Sequence, residues 1–174
     1  MLATPEAAIE PLWRLAARYE QERGGLTESE VLARAVGLVR LLRRSIAQGL
    51  AGTTYADRVL GSQSPAFAQA MRSGRLIAAD PLNRAILYVT ALMEVKSSMG
   101  VIVAMPTAGA CAALPGVVLA VAEERGLDDE ITAKALLASG VIGAFIATRW
   151  TFAAEVGAFR LAGLRHRRVA AAFA

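Results

Sequence analysis

The sequence predicts an all-α fold, a compact multi-helix domain, and three observations carry that expectation. The interior has to be built from small aliphatic side chains, because 55% of the 174 residues are hydrophobic and only 6% aromatic, and alanine, valine, leucine and isoleucine recur at helical spacing. Helix start signals, Thr27 with Glu30, Ser64-Pro65 and Asp80-Pro81, each stand ahead of such a run. No pair of alternating segments is joined by hairpin chemistry, and there is no internal repeat or low-complexity linker. One domain accounts for the length.

Thr4-Pro5-Glu6 predicts an N-cap with proline in the first turn, and Ile9, Leu12, Trp13, Ala16 and Tyr19 extend an amphipathic helix to Gly24-Gly25. Thr27 and Glu30 have capping-box spacing; Val31, Ala35, Leu38, Leu42 and Ile46 carry the second helix to Gly49. Periodicity is lost over 51–64. Ser64-Pro65 then predicts a short capped helix through Phe67 and Met71 to Gly74. The helix begun at Asp80-Pro81 places Ala85, Ile86, Val89, Leu92 and Met93 on one side and ends between Ser97 and Gly100. Pro115-Gly116 opens or kinks the next helix, which runs to Glu124 and stops at Gly126. Asp128 or Asp129 caps a last one, whose Ala133, Gly140, Gly143, Ala144 and Ala147 form a small-residue seam suited to close helix approach.

The net charge of +4 is unevenly placed, on Arg34, Arg40, Arg43 and Arg44 and on Arg160, Arg165, Arg167 and Arg168. No aromatic residues are interleaved with these arginines, so the expected role is a solvated helix face and a basic tail, with no nucleic-acid partner. His166 among those arginines is expected to be solvated. A single cysteine, Cys111, excludes an intramolecular disulfide, and no secretory segment opens the chain; the expected compartment is the cytoplasm.

From residue 97 to residue 122 no side chain is charged and two prolines interrupt the run. Such interruption argues against a membrane helix and for a buried loop that opens a helix. Within it, Pro106-Thr107-Ala108-Gly109-Ala110-Cys111 places small residues and a threonine where the chain turns into a helix. Backbone amides there, aided by the helix dipole, suit a carboxylate or phosphate, and glycine and alanine let a ligand reach the backbone. The residues by themselves leave both a structural turn and an anion site open. Glu94 and Glu155 are the acids nearest the apolar segments and candidate general bases, with salt-bridged carboxylates as the other reading.

Glu94-Val95-Lys96-Ser97-Ser98-Met99-Gly100 followed by Met105-Pro106-Thr107-Ala108-Gly109-Ala110-Cys111-Ala112-Ala113-Leu114-Pro115-Gly116 resembles the alpha chain or domain of the iron-sulfur-dependent L-serine dehydratases. Gly49-Leu50 and Met71-Arg72-Ser73-Gly74 add to the likeness, which extends from about Thr27 to Gly157. The resemblance implies a lyase that converts L-serine to pyruvate and ammonia, with Pro106, Thr107, Ala108, Gly109 and Ala110 in the substrate loop at a helix N-terminus and a beta subunit or domain as partner. It also implies a [4Fe-4S] cluster, with Cys111 as one ligand.

A cluster needs several thiolates, and this sequence has one. Ala158 stands where the family has a ligand cysteine after Ala154-Glu155-Val156-Gly157, and Gly61-Ser62-Gln63-Ser64-Pro65 replaces a glycine-rich loop. The expectation is therefore a partial alpha domain over residues 1–157 with a divergent basic tail over 158–174, an off-frame or truncated ending, no cluster bound and no activity alone. Two other readings accompany it. One is a small membrane protein using 101–122 and 135–148 as a helical hairpin, supported by a mean hydropathy of +0.44. The other is a helical interaction module whose apolar surface seeks a partner or a second copy of the chain.

Overall fold

Six helices form among the described residues, 10–105 and 110–148, of the computed structural model. They are α1 (Leu12–Gly24), α2 (Glu28–Ala51), α3 (Ser64–Arg72), α4 (Asp80–Ser97), α5 (Ala113–Glu124) and α6 (Asp129–Ala147). No strand occurs among these residues. The all-α expectation holds.

Local chemistry explains most of the boundaries. Thr27 and Glu30 form the predicted capping box: the Glu30 amide donates to Thr27 Oγ1 at 3.3 Å and the Thr27 amide donates to Glu30 Oε2 at 2.8 Å, which satisfies two otherwise orphaned donors. Asp128 Oδ1 accepts from the Ile131 amide at 2.8 Å and settles which aspartate caps α6. α1 starts later than its sequence suggests. Pro11, at φ −57° and ψ 135°, is its N-cap, because proline disfavours helical geometry in the residue before it; Thr4 lies outside the described residues.

The chain falls into two units, Met1–Val141 and Ile142–Ala174. In the first, α4 is central and packs against α2, α3 and α5, while α2 also receives α1 and α3. Val39 and Leu42 of α2, Ala91, Leu92 and Val95 of α4 and Leu119 and Ala120 of α5 are completely enclosed, each leucine contributing about 1.5–3 kcal/mol of burial. Arg43 Nε donates to Asp129 Oδ1 at 2.9 Å, and Arg40 lies 3.5 Å from the same carboxylate, tying α2 to the start of α6. In the second unit the described residues are 142–148, where Thr148 Oγ1 donates to the Phe145 carbonyl at 2.7 Å.

Two expectations about faces need correction. On α4 Ala85 and Leu92 are buried as expected and Val89 packs against the core, but Leu87, Tyr88, Ala91 and Val95 complete the buried side, whereas Ile86 and Met93 are exposed. Both stripes have helical period, and the choice between them falls to close contact. A Cβ at Gly49 would stand 2.7 Å from Ala91 Cα, and one at Gly116 would stand 2.9 Å from the Val89 amide nitrogen. α2 and α5 therefore touch α4 backbone to backbone at 91 and 89. The small-residue seam of α6 does not act as one among the described residues: Ala133 is buried, but open space surrounds Gly140 and Gly143.

The membrane-hairpin reading loses its first leg, since the described residues between 101 and 112 are not helical. α6 is long and apolar enough to cross a membrane by length and composition, a test that the core helix of a soluble protein also passes.

Candidate functional site: the segment between α4 and α5

The segment that follows α4 begins at a sharp stop. The Gly100 amide donates to the Val95 carbonyl at 2.8 Å and the Met99 amide to Lys96 at 3.1 Å, the paired bonds of a Schellman motif. Met99 occupies its left-handed position at φ 61°, where glycine is usual. Glycine stands one residue later instead, because a Cβ at residue 100 would meet Val95 Cγ1 at 2.6 Å. The Met-Gly step singled out in the sequence is thus a helix terminator.

Beyond this stop, Ser45 of α2, itself buried, donates from Oγ to the Val101 carbonyl at 2.8 Å. Ile102, Val103 and Met105 pack against the core. On the far side Cys111 and Ala112 are enclosed within that core, Cys111 completely. The segment is thereby tethered at both ends. α5 then begins at Ala113 with no side-chain cap, and Pro115 occupies its first turn. Proline carries no N–H, so the amides of Ala113 and Leu114 are the donors at this positive end of the helix dipole.

Of the predicted site residues, Ala110 and Cys111 are described; Pro106, Thr107, Ala108 and Gly109 lie outside the described residues, as do Glu155 and His166. Cys111 is a free thiol in an apolar setting. Among the described residues no three His, Cys, Asp or Glu side chains gather where they could hold a metal ion.

Glu94 is buried, as a general base at this site would have to be, yet its carboxylate is fully engaged. Oε2 accepts from Ser62 Oγ at 2.6 Å and Ser64 Oγ at 2.9 Å; Oε1 accepts from the amides of Gln63 and, at 3.2 Å, Ser64, with Arg58 Nη2 3.6 Å away. Burial pushes its pKa up, but these hydrogen bonds outweigh it and hold the carboxyl below the ordinary carboxylate range. Ser64 consequently does not cap α3 as its sequence suggests. It lies inside the helix, Gln63 is the N-cap without a side-chain bond, and a carboxylate from α4 takes the free amides instead. Arg58 completes the clamp, with Nη1 donating to Thr53 Oγ1 at 2.8 Å and its guanidinium over the Tyr55 ring. Neither Arg58 nor Ser45 stands out in the sequence. The available signal is the lone acid in the second half of α4, set among Leu92, Met93 and Val95.

α4 and α5 are joined at a second place by Glu123, which accepts from Tyr88 Oη and Arg84 Nη1. Burial, then the hydrogen bond to Glu123, pushes the Tyr88 phenol up to about 12.

These features define an all-helical domain whose interhelical segment is fixed at both ends and leads into an uncapped helix. Comparison with known proteins gives the class its name. The sequence model described as serine dehydratase alpha chain matches residues 10–174, and the chain belongs to that family. It is 25% identical over 138 residues to the probable L-serine dehydratase, alpha chain, of Bacillus subtilis (strain 168), covering 79% of this chain and 46% of that protein. It is 27% identical over 147 residues to the L-serine dehydratase, alpha chain, of Peptoniphilus asaccharolyticus, covering 84% and 50%. The chain thus spans about half the length of these curated relatives. No solved structure matches.

Proposed function

We propose that this chain forms part of an L-serine dehydratase, in which the segment 106–110 receives the carboxylate of L-serine at the N-terminus of α5 and a beta chain or domain is the partner. The double tether of the segment, Ser45 on Val101 at one end and buried Cys111 and Ala112 at the other, is the observation that supports this reading. Backbone amides at a helix N-terminus suit a carboxylate. In the reaction L-serine loses its α-proton and its β-hydroxyl as water, and the resulting enamine hydrolyses to pyruvate and ammonia. Within that scheme this chain's residues bind and orient; the family sequence leads us to place Thr107 beside the substrate.

The family's reaction, by resemblance, uses a [4Fe-4S] cluster as Lewis acid. One thiolate from a single cysteine is too small a donor set for such a cluster. The residues present do not fit that group by themselves. We propose that the isolated chain binds no cluster and does not turn over serine, and that it works in the cytoplasm.

Backbone amide signals of the 174-residue chain followed while L-serine is added test the binding role. Signals of residues 110–114 are expected to shift saturably, and Gly109→Val is expected to abolish the shift. Unmoved signals at millimolar serine would remove the binding role, and serine turnover by the purified chain would remove the claim that it is inactive alone.

A further inference from the structure

A cavity of about 420 Å3 opens between the end of α2, the length of α3 and the first turns of α4. None of its walls comes from residues 101–112, so a ligand held there is independent of the serine reading. Leu50, Met71 and Leu87 give it an apolar side, and Arg72, Asp80 and Arg84 a charged one.

The charged side is incompletely paired. Arg72, the last residue of α3, and Asp80, the first of α4, carry opposite charges on one cavity, yet among the described residues neither enters an ion pair or a side-chain hydrogen bond. Arg84 is held by Glu123 on Nη1 and lies 3.7 Å from Glu124 on Nη2, so Arg72 and Asp80 are the charged groups left open to a ligand.

We infer that this cavity binds an α-amino acid zwitterion with an aliphatic side chain. Arg72 supplies donors for the carboxylate, with fork geometry that suits carboxylate oxygens. Asp80 accepts from the ammonium group, and the side chain lies on Leu50, Met71 and Leu87. A simple anion would meet the repulsion of Asp80, and a simple cation that of Arg72. A molecule bearing both charged groups on one carbon meets neither.

Calorimetric titration of the full chain with L-leucine tests the assignment. Saturable binding is expected, weakened by about tenfold or more in Arg72→Ala and in Asp80→Asn. Both residues are exposed, so the variants should fold normally. On the wild-type chain, 4-methylpentanoate, which lacks the ammonium, and isopentylamine, which lacks the carboxylate, should bind at least about tenfold more weakly than L-leucine. No heat of binding, equal affinity for either single-charge analogue, or affinity unchanged in both variants would overturn the proposal. L-Serine binding as tightly as L-leucine would overturn the aliphatic preference.

Discussion

Gly49 rests on Ala91 so closely that a side chain at 49 would stand 2.7 Å from the Ala91 Cα and nearer still to its carbonyl oxygen. The obstacle is helix backbone, which cannot rotate aside. This contact, with its counterpart between Gly116 and Val89, fixes the rotation of α4 between its neighbours and so determines where its C-terminus releases the segment 101–112.

Gly49→Ala and Gly116→Ala should each destabilise the fold by about 2–3 kcal/mol through overpacking. Gly37→Ala, also in α2 but with nothing within 4 Å of the added methyl, should stabilise by about 0.5–1 kcal/mol. Urea denaturation of the three variants gives the comparison. Equal effects at 37 and 49 would show that helix propensity, not close approach, governs these positions.

Met99→Gly removes a left-handed side chain that is 92% exposed and packs on almost nothing. The strain costs roughly 1 kcal/mol, against which glycine loosens the unfolded chain. A net gain of about 0.5 kcal/mol is expected from chemical denaturation. Gly100→Ala should do the opposite, because its methyl would strike Val95.

Glu94→Ala strips the clamp from Ser62, Gln63 and Ser64 and leaves the Ser64 hydroxyl enclosed without an acceptor, at an expected cost of about 3 kcal/mol. The pKa of Glu94 is lower folded than unfolded, so the clamp is at full strength above the unfolded value near 4.5 and is lost as pH falls through the lower folded value. The stability gap between wild type and Glu94→Gln should accordingly narrow below that pH. A gap that stays constant in denaturation curves from neutral to acid pH would mean that the charge of Glu94 does not matter.

Tyr88→Phe deletes the hydroxyl shared with Glu123 and should cost about 1 kcal/mol at neutral pH. The folded phenol titrates at about 12, above the ordinary value of 10.0, so its contribution is complete below 10 and is lost as pH rises towards 12. Absorbance titration of tyrosinate should show one late-ionising group that Tyr88→Phe removes. An unchanged titration in the variant would count against the buried Tyr88–Glu123 pair.

Much of this architecture is written locally. Thr27 and Glu30, Asp128, the two prolines at 65 and 81 and the apolar spacing of each run act within a turn or two of chain, so six or seven helices are legible in the sequence, to within a few residues at their ends, and six form among the described residues. The Pro-Thr-Ala-Gly-Ala-Cys string, too, points to its family without coordinates. What no local pattern contains is which of two equally periodic stripes on α4 turns inward, that Glu94 caps α3 from a different helix, that Ser45 holds Val101, or that Arg72 and Asp80 face one cavity unpaired. Those relations join residues far apart in the chain, and they arise only when backbones meet at Gly49 and Gly116. Local hydrogen bonding and side-chain periodicity determined the helices; steric contact between them decided which side chains became partners.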